Sequence, residues 1–343
     1  MDNQSTFSSN SSLIQTNIQT DIQTLYLDPR LLDAFLLFNL FVSGTAGFMG
    51  IIGNVINIIV FYKLGYSDSV NIALTALAIS DIGALVTLQV FNVLAAPWFL
   101  MLDLGFNVRD MVLLVAFYPH NYFIRVCGFI TAYASLERCI CVVSPLRVKQ
   151  ILTNKTAVVT IILIFILTTF DLFPLYYTIY LDWSLAPSTN KTILHIAFRQ
   201  FSHSVFNISY YINDVTAPFI TFSVIITSTS IIAVRLKSQA RWRQSMNAVK
   251  SEGGISSRER KVVVMLCTIS IMFVICLIPQ STILTAVSFV PVLSYGQKYF
   301  DIALMGYCVS YFSETTLSSA NILIYLKMSQ KYREQFSILF RGK

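Results

Sequence analysis

The chain has 343 residues, of which 55% are hydrophobic and only 12% charged, with a formal net charge of +7. A soluble domain carries about 25% charged residues, so disordered, fibrous and ordinary soluble classes are excluded. The basic residues lie between apolar runs instead of forming one basic patch, which excludes a nucleic-acid-binding face.

Taken in chain order, residues 1–33 are rich in Ser, Asn, Gln and Thr, with no basic stretch leading into an apolar core. They read as an extracellular N-terminal tail without a cleaved leader. From residue 34 the chain alternates between long apolar runs and short polar ones. Residues 34–62 and 262–297 carry no charge, and 69–102, 156–181 and 302–326 carry only Asp81, Asp171 and Glu314. A helix crossing the hydrocarbon core needs about 20 apolar residues, and lipid requires each span to satisfy its own backbone. The runs predict an all-α membrane protein whose seven helices span about 34–63, 69–97, 108–141, 156–180, 205–236, 259–290 and 299–326. Residues 328–343 follow as a cytoplasmic tail. There Tyr332, Phe336, Leu339 and Phe340 share one face, predicting a short amphipathic eighth helix lying on membrane lipid.

Lys and Arg fix the orientation. Eighteen of the 24 fall on one side: Lys63; Arg138, Arg147, Lys149 and Lys155; Arg235, Lys237, Arg241, Arg243, Lys250, Arg258, Arg260 and Lys261; Lys327, Lys331, Arg333, Arg341 and Lys343. That side is expected to be cytoplasmic, which places the N-terminus outside the plasma membrane. Asn3, Asn10 and Asn190 are then candidate glycosylation sites, with Asn207 near the same side. The six cysteines fall in helices or at their cytoplasmic ends, so no extracellular disulfide is expected.

Local motifs now converge. Gly53-Asn54-Val55, Leu77-Ala78-Ile79-Ser80-Asp81, Glu137-Arg138-Cys139 with Pro145, Pro218, Cys276-Leu277-Ile278-Pro279 and Asn321-Ile322-Leu323-Ile324-Tyr325 occur in this order on successive helices. Over about residues 40–340 the chain resembles the rhodopsin-like (class A) G-protein-coupled receptors. Its short loops and basic third cytoplasmic loop are most similar to molluscan chemosensory-type or orphan peptide-type receptors. The resemblance implies an extracellular ligand bound within the bundle and a heterotrimeric G protein at the cytoplasmic ends of helices 3, 5 and 6.

The resemblance also assigns residues. Glu137, Arg138, Glu259, Asn321, Tyr325 and Pro279 would form the activation switch, with Glu259 tethering helix 6 to Arg138 and Pro279 as a hinge. Asn54, Asp81 and Asn321 would form a polar core. In the family this core binds sodium; here Cys127 and Leu317 beside Ser318 leave a sodium site and a hydrogen-bond cluster both open. The family's outer cysteine would fall near Leu113, Leu277 replaces the helix-6 Trp and Ile226 the helix-5 Tyr. Without a disulfide the second outer loop is expected to be looser.

Charges inside the spans mark function or structure, because an unpaired charge in lipid is costly. Arg125 lies 13 residues before Arg138, about 20 Å further out at 1.5 Å per residue. Asp214 and Asp171 compete as its partner. His120, Arg125, Asp214, Gln280, Tyr311 and Glu314 are the candidate ligand-binding residues. No interior lysine on helix 7 suits retinal, and His120 stands where an amine receptor carries an acid. Two ligands remain: a small chemosensory molecule, or a neuropeptide reaching Asp103, Asp110 and Asp182. No metal-spacing cluster, cofactor motif or catalytic motif occurs, so no enzyme, metal or cofactor is expected. The rival class is a secondary transporter, against which stand the odd helix count and the lack of an internal repeat.

Overall fold

A computed structural model describes residues 29–144, 152–186, 191–199, 202–245 and 257–341. Seven long helices form the bundle. Helix α1 runs through Pro29–Phe38, a π-helical turn Asn39–Ser43 and Gly44–Leu64. Helix α2 is Ser69–Leu94. Helix α3 comprises Val108–Val112, a π-turn Leu113–Phe117 and Tyr118–Val143, and α4 is Asn154–Thr178. Helix α5 comprises Ser202–Tyr210, a π-turn Tyr211–Thr216 and Ala217–Ser245. Helices α6, Ser257–Phe289, and α7, Phe300–Met328, complete the bundle, and α8, Gln330–Arg341, follows. Six of the seven are apolar and long enough to cross a membrane; α7 is long enough but more polar, with Glu314 and many hydroxyls along it.

Local chemistry sets the helix ends. Asp68, Asn107 and Thr153 precede α2, α3 and α4, and each side chain accepts an amide of the first turn, at 3.1, 3.1 and 3.2 Å. Gly65 ends α1 at φ 80°, a conformation that suits a residue without Cβ. Helix α2 stops at Leu94, short of the expected 97, because the chain turns into a separate helical turn that starts at Pro97. The π-turns of α3 and α5 each end two residues before a proline, Pro119 and Pro218. Proline cannot donate to the carbonyl four residues back, and a locally widened turn absorbs that break.

Packing is tightest where side chains are small. A Cβ on Gly128 would lie 3.2 Å from Phe273 and 3.3 Å from Thr221, so Gly128 lets α3, α5 and α6 meet closely. Ser135 on α3 and Ser270 on α6 bond through their hydroxyls at 2.6 Å. Ser313 on α7 donates to the Cys276 carbonyl at 2.7 Å, next to the carbonyl that Pro279 leaves without its helical donor. Helix α8 does not merely lie alongside. Tyr332 is fully buried against Phe61 and Tyr325, Phe336 stacks on it, and Phe340 points outward, 58% exposed.

The bundle is helical, and among the described residues strands occur in the α4–α5 connection. Residues Ile179–Ala186 (β1) and Lys191–Phe198 (β2) form an antiparallel hairpin of eight facing pairs, from Ile179–Phe198 to Ala186–Lys191. The expected looseness of this loop is therefore overturned. Backbone bonds tie the hairpin to the α2–α3 connection, Asn107 donating to Leu194 at 2.8 Å and Leu194 to Gly105 at 2.9 Å. The six cysteines are free thiols, and hydrogen bonds hold the loop instead.

Candidate functional site

A large cavity of about 610 Å³ opens at the hairpin end of the bundle, between α3, α5, α6 and α7. Phe117 and Tyr118 on α3, Tyr210 on α5, Val287 on α6 and Leu304 and Tyr307 on α7 form its walls. Phe198 of β2 and Tyr295 of the α6–α7 connection contribute its rim. None of these residues stood out in the sequence, because aromatic side chains on membrane helices read equally as core or as interfacial belt. The density of aromatics at the same ends of four helices was the available signal.

Asp110 holds this rim together. Its carboxylate accepts the Ile196 amide of β2 at 2.8 Å and the Tyr295 hydroxyl from the other side of the cavity. Burial and the bond to Asp110 push the Tyr295 hydroxyl far above the ordinary phenol range, so it remains a donor at neutral pH. Asp110 is 5% exposed. Of the three acids expected to reach a peptide, Asp110 is thus buried and bonded, while Asp103 and Asp182 are exposed. Asp103 pairs with Lys191, and Asp182 accepts the Trp183 amide at 2.8 Å. Arg109 and Asp301 add a half-exposed ion pair at 3.7 Å.

Below the large cavity lies a buried polar layer, which contains all six sequence-selected ligand residues. Arg125 Nη1 donates to Asp214 Oδ1 at 3.1 Å. Asp214 is thus the partner that bonds Arg125, while the Asp171 carbonyl accepts Asn213 Nδ2 at 3.3 Å. Gln280 donates to Asn121 at 2.6 Å. Arg125, Asp214, Asn121 and Gln280 line a second, much smaller cavity of about 40 Å³, room for about one water. Arg125 Nε and Nη2 have no protein partner among the described residues.

His120 and Glu314 lie outside the small cavity that Arg125 lines. His120 Nδ1 lies 2.9 Å from the Ala84 carbonyl and Nε2 lies 2.7 Å from Glu314 Oε2. A carbonyl only accepts, so Nδ1 carries a proton, and one further proton lies between Nε2 and the carboxyl. The pair is neutral as a unit in either placement of that proton. Tyr311 meets His120 edge-on at 5.0 Å and stacks on Tyr307 at 6.3 Å. His120, Tyr311 and Glu314 line neither cavity. Tyr307 and Phe91, which line the large cavity and meet Tyr311 at 6.3 and 4.8 Å, link their layer to it.

Toward α8 the polar core closes around Asp81. Ser318 and Asn321 donate to its two oxygens at 2.8 Å each, and the Cys127 thiol donates at 3.5 Å. Asn54 donates to the Ser318 carbonyl at 3.0 Å. The network continues through Asn57, which donates to Asn54 at 3.1 Å and accepts the Tyr332 hydroxyl at 2.6 Å. It therefore runs from the middle of the bundle into α8. Sequence reading missed Asn57 and Tyr332 as members, since a hydroxyl reaching back from α8 leaves no periodic trace.

At the α8 end, Arg138 Nη2 donates to Glu137 Oε1 at 2.7 Å and to Ser69 Oγ at 3.0 Å, while Ser69 itself donates to Glu137. Glu137 is 2% exposed. Ser69 begins α2, so the triad joins α3 to α2. The Glu259 side chain, Asn3, Asn10 and Asn190 lie outside the described residues. Pro279 lies inside α6, and Tyr325 on α7 is buried against Phe61 at 5.2 Å.

A family model, the 7 transmembrane receptor (rhodopsin family), matches residues 53–320. This chain belongs to that family. It is a multi-pass membrane protein of a receptor family and not an enzyme, which removes the transporter alternative. A curated relative, the "Type-1 angiotensin II receptor B" of Xenopus laevis, is 23% identical over 301 residues, covering 85% of this chain and 76% of the relative.

Proposed function

We propose that this receptor lies in the plasma membrane with its N-terminus and hairpin outside, takes an extracellular ligand into the 610 Å³ cavity, and activates a heterotrimeric G protein. The observation that supports this reading is the placement of two sites at opposite ends of one bundle. At one end is a drug-sized cavity; at the other is Arg138, held by Glu137 and Ser69.

Between them the sequence-selected residues act as a relay. A ligand that moves Tyr307 disturbs its stack on Tyr311 and hence the His120–Glu314 pair. In the small cavity Arg125, Asp214 and Gln280 sit against Phe273 and Leu277 of α6, just below the Pro279 break. Outward motion of α6 about Pro279 would separate Ser270 from Ser135. It would also break any Glu259 tether and repack the Asn54, Asp81 and Asn321 core with Tyr325. Arg138 is then freed from Glu137 to face the G protein. Binding shifts the equilibrium only by its preference for that open state.

The ligand is a small molecule in this reading, as in chemosensory-type receptors, since the cavity is drug-sized and Asp110, one of the three acids expected to reach a peptide, is buried in its rim. Glycans at Asn3, Asn10 and Asn190 belong to the same orientation. The test is Arg138→Ala: loss of nucleotide exchange at normal surface expression supports the reading, and retained exchange removes it.

A further inference from the structure

The chemistry of the large cavity restricts what it can hold. Aromatic side chains, Phe117, Phe198 and Phe300 with Tyr118, Tyr210 and Tyr307 among them, and aliphatic ones together form most of its lining. Among the described lining residues there is no acid, lysine or histidine, and Arg109 is the single charged side chain. Arg109 is half exposed at the rim and already faces Asp301. An ion moved from water into such a wall loses hydration without gaining a counter-charge, at a cost of several kcal/mol. Rings gain instead by burial and by edge-to-face or offset stacking on the aromatic walls.

Apart from Arg109, the polar groups of the lining are neutral. Asn207, Gln297, Ser288 and Ser294 contribute amides and hydroxyls. The Tyr210 hydroxyl donates to the Leu284 carbonyl at 3.2 Å, the Tyr211 hydroxyl to the Ser288 carbonyl at 3.1 Å, and the Tyr295 hydroxyl to Asp110. Amides and hydroxyls bond a neutral polar group as donor or acceptor.

We infer that this cavity takes an uncharged, ring-bearing, mainly apolar molecule, in preference to an amine, an acid or a charged peptide terminus. The inference rests on the cavity's being the ligand site of the receptor reading, and it differs from a ligand anchored directly on Arg125, which lies in the separate small cavity.

Three probes of one ring system test it: 2-naphthol, 2-naphthoate and 2-naphthylmethylamine, neutral, anionic and cationic at neutral pH. Each is titrated by its own fluorescence anisotropy against the full chain in nanodiscs, with empty discs subtracted. The expected result is 2-naphthol binding at least about tenfold tighter than either ion. Leu304→Trp and Val287→Trp, on two different walls, should each weaken 2-naphthol by about tenfold or more while thermal melting confirms that the variants fold. Either ion binding as tightly as 2-naphthol would overturn the inference. So would unchanged 2-naphthol binding in folded Trp variants, or no binding by any of the three. Nucleotide exchange is a separate readout. Selective 2-naphthol binding without any G-protein exchange would remove the receptor mechanism and leave the cavity's preference standing.

Discussion

The Arg125 guanidinium meets the Asp214 carboxylate at 3.1 Å inside the bundle, with the two side chains 6% and 8% exposed. Removing one member of such a pair leaves the other charge buried and uncompensated, at about 3–5 kcal/mol. Arg125→Ala should therefore reduce surface expression and lower the melting temperature. The exchange Arg125→Asp with Asp214→Arg should recover part of the loss. Normal expression and melting of Arg125→Ala would show that the pair does not hold the helices.

The His120–Glu314 contact makes a different prediction, because the unit is neutral. Glu314→Gln keeps a side-chain donor for His120 Nε2 in its neutral, Nδ1-protonated form and should melt close to the parent. Glu314→Ala leaves Nε2 buried without a partner and should cost about 1–3 kcal/mol. Melting of the two variants in parallel decides it; an equal loss in both would contradict the neutral-pair account.

The hairpin depends on Asp110 and not on a cystine. Dithiothreitol should leave both melting and 2-naphthol binding unchanged. Asp110→Ala removes the acceptor of the Ile196 amide and of Tyr295 and should destabilise by about 1–3 kcal/mol. Probe dissociation should also become faster, since β2 and the α6–α7 connection lose their shared anchor. Sensitivity to the reductant, or an inert Asp110→Ala, would contradict this.

Tyr332→Phe keeps the ring packed on Phe61 and Tyr325 but loses the bond to Asn57. A net loss of about 0.5–1.5 kcal/mol is expected, read as a small drop in melting temperature. No change would place α8 outside the polar network.

The helical bundle was legible because seven apolar runs have only one arrangement that satisfies their backbones in lipid. The Arg125–Asp214 pairing was half legible: depth along the helices pointed to Asp214 but left Asp171 as a competitor, and the π-turn at Tyr211–Thr216, which carries Asp214, has no mark in the spacing. The hairpin was not legible, since its stability comes from pairing with Gly105 and Asn107 and from Asp110, contacts distant in sequence. Asp110 looked like a surface acid for a ligand because nothing in its neighbourhood announces that it is buried. The cavity walls were missed for the opposite reason: tyrosines and phenylalanines are too common in membrane helices to single out those that face a void.

The central claim is that Arg138, released from Glu137 and Ser69, drives G-protein activation. Purified wild type, Glu137→Gln and Arg138→Ala in nanodiscs, each with heterotrimeric G protein and with 2-naphthol binding as the check on folding, test it by the rate of nucleotide exchange. Glu137→Gln weakens the hold on Arg138 and should exchange faster than wild type, while Arg138→Ala should fall to the rate with empty discs at unchanged probe binding. Exchange by Arg138→Ala equal to wild type, or no exchange above empty discs by any of the three, would contradict the account.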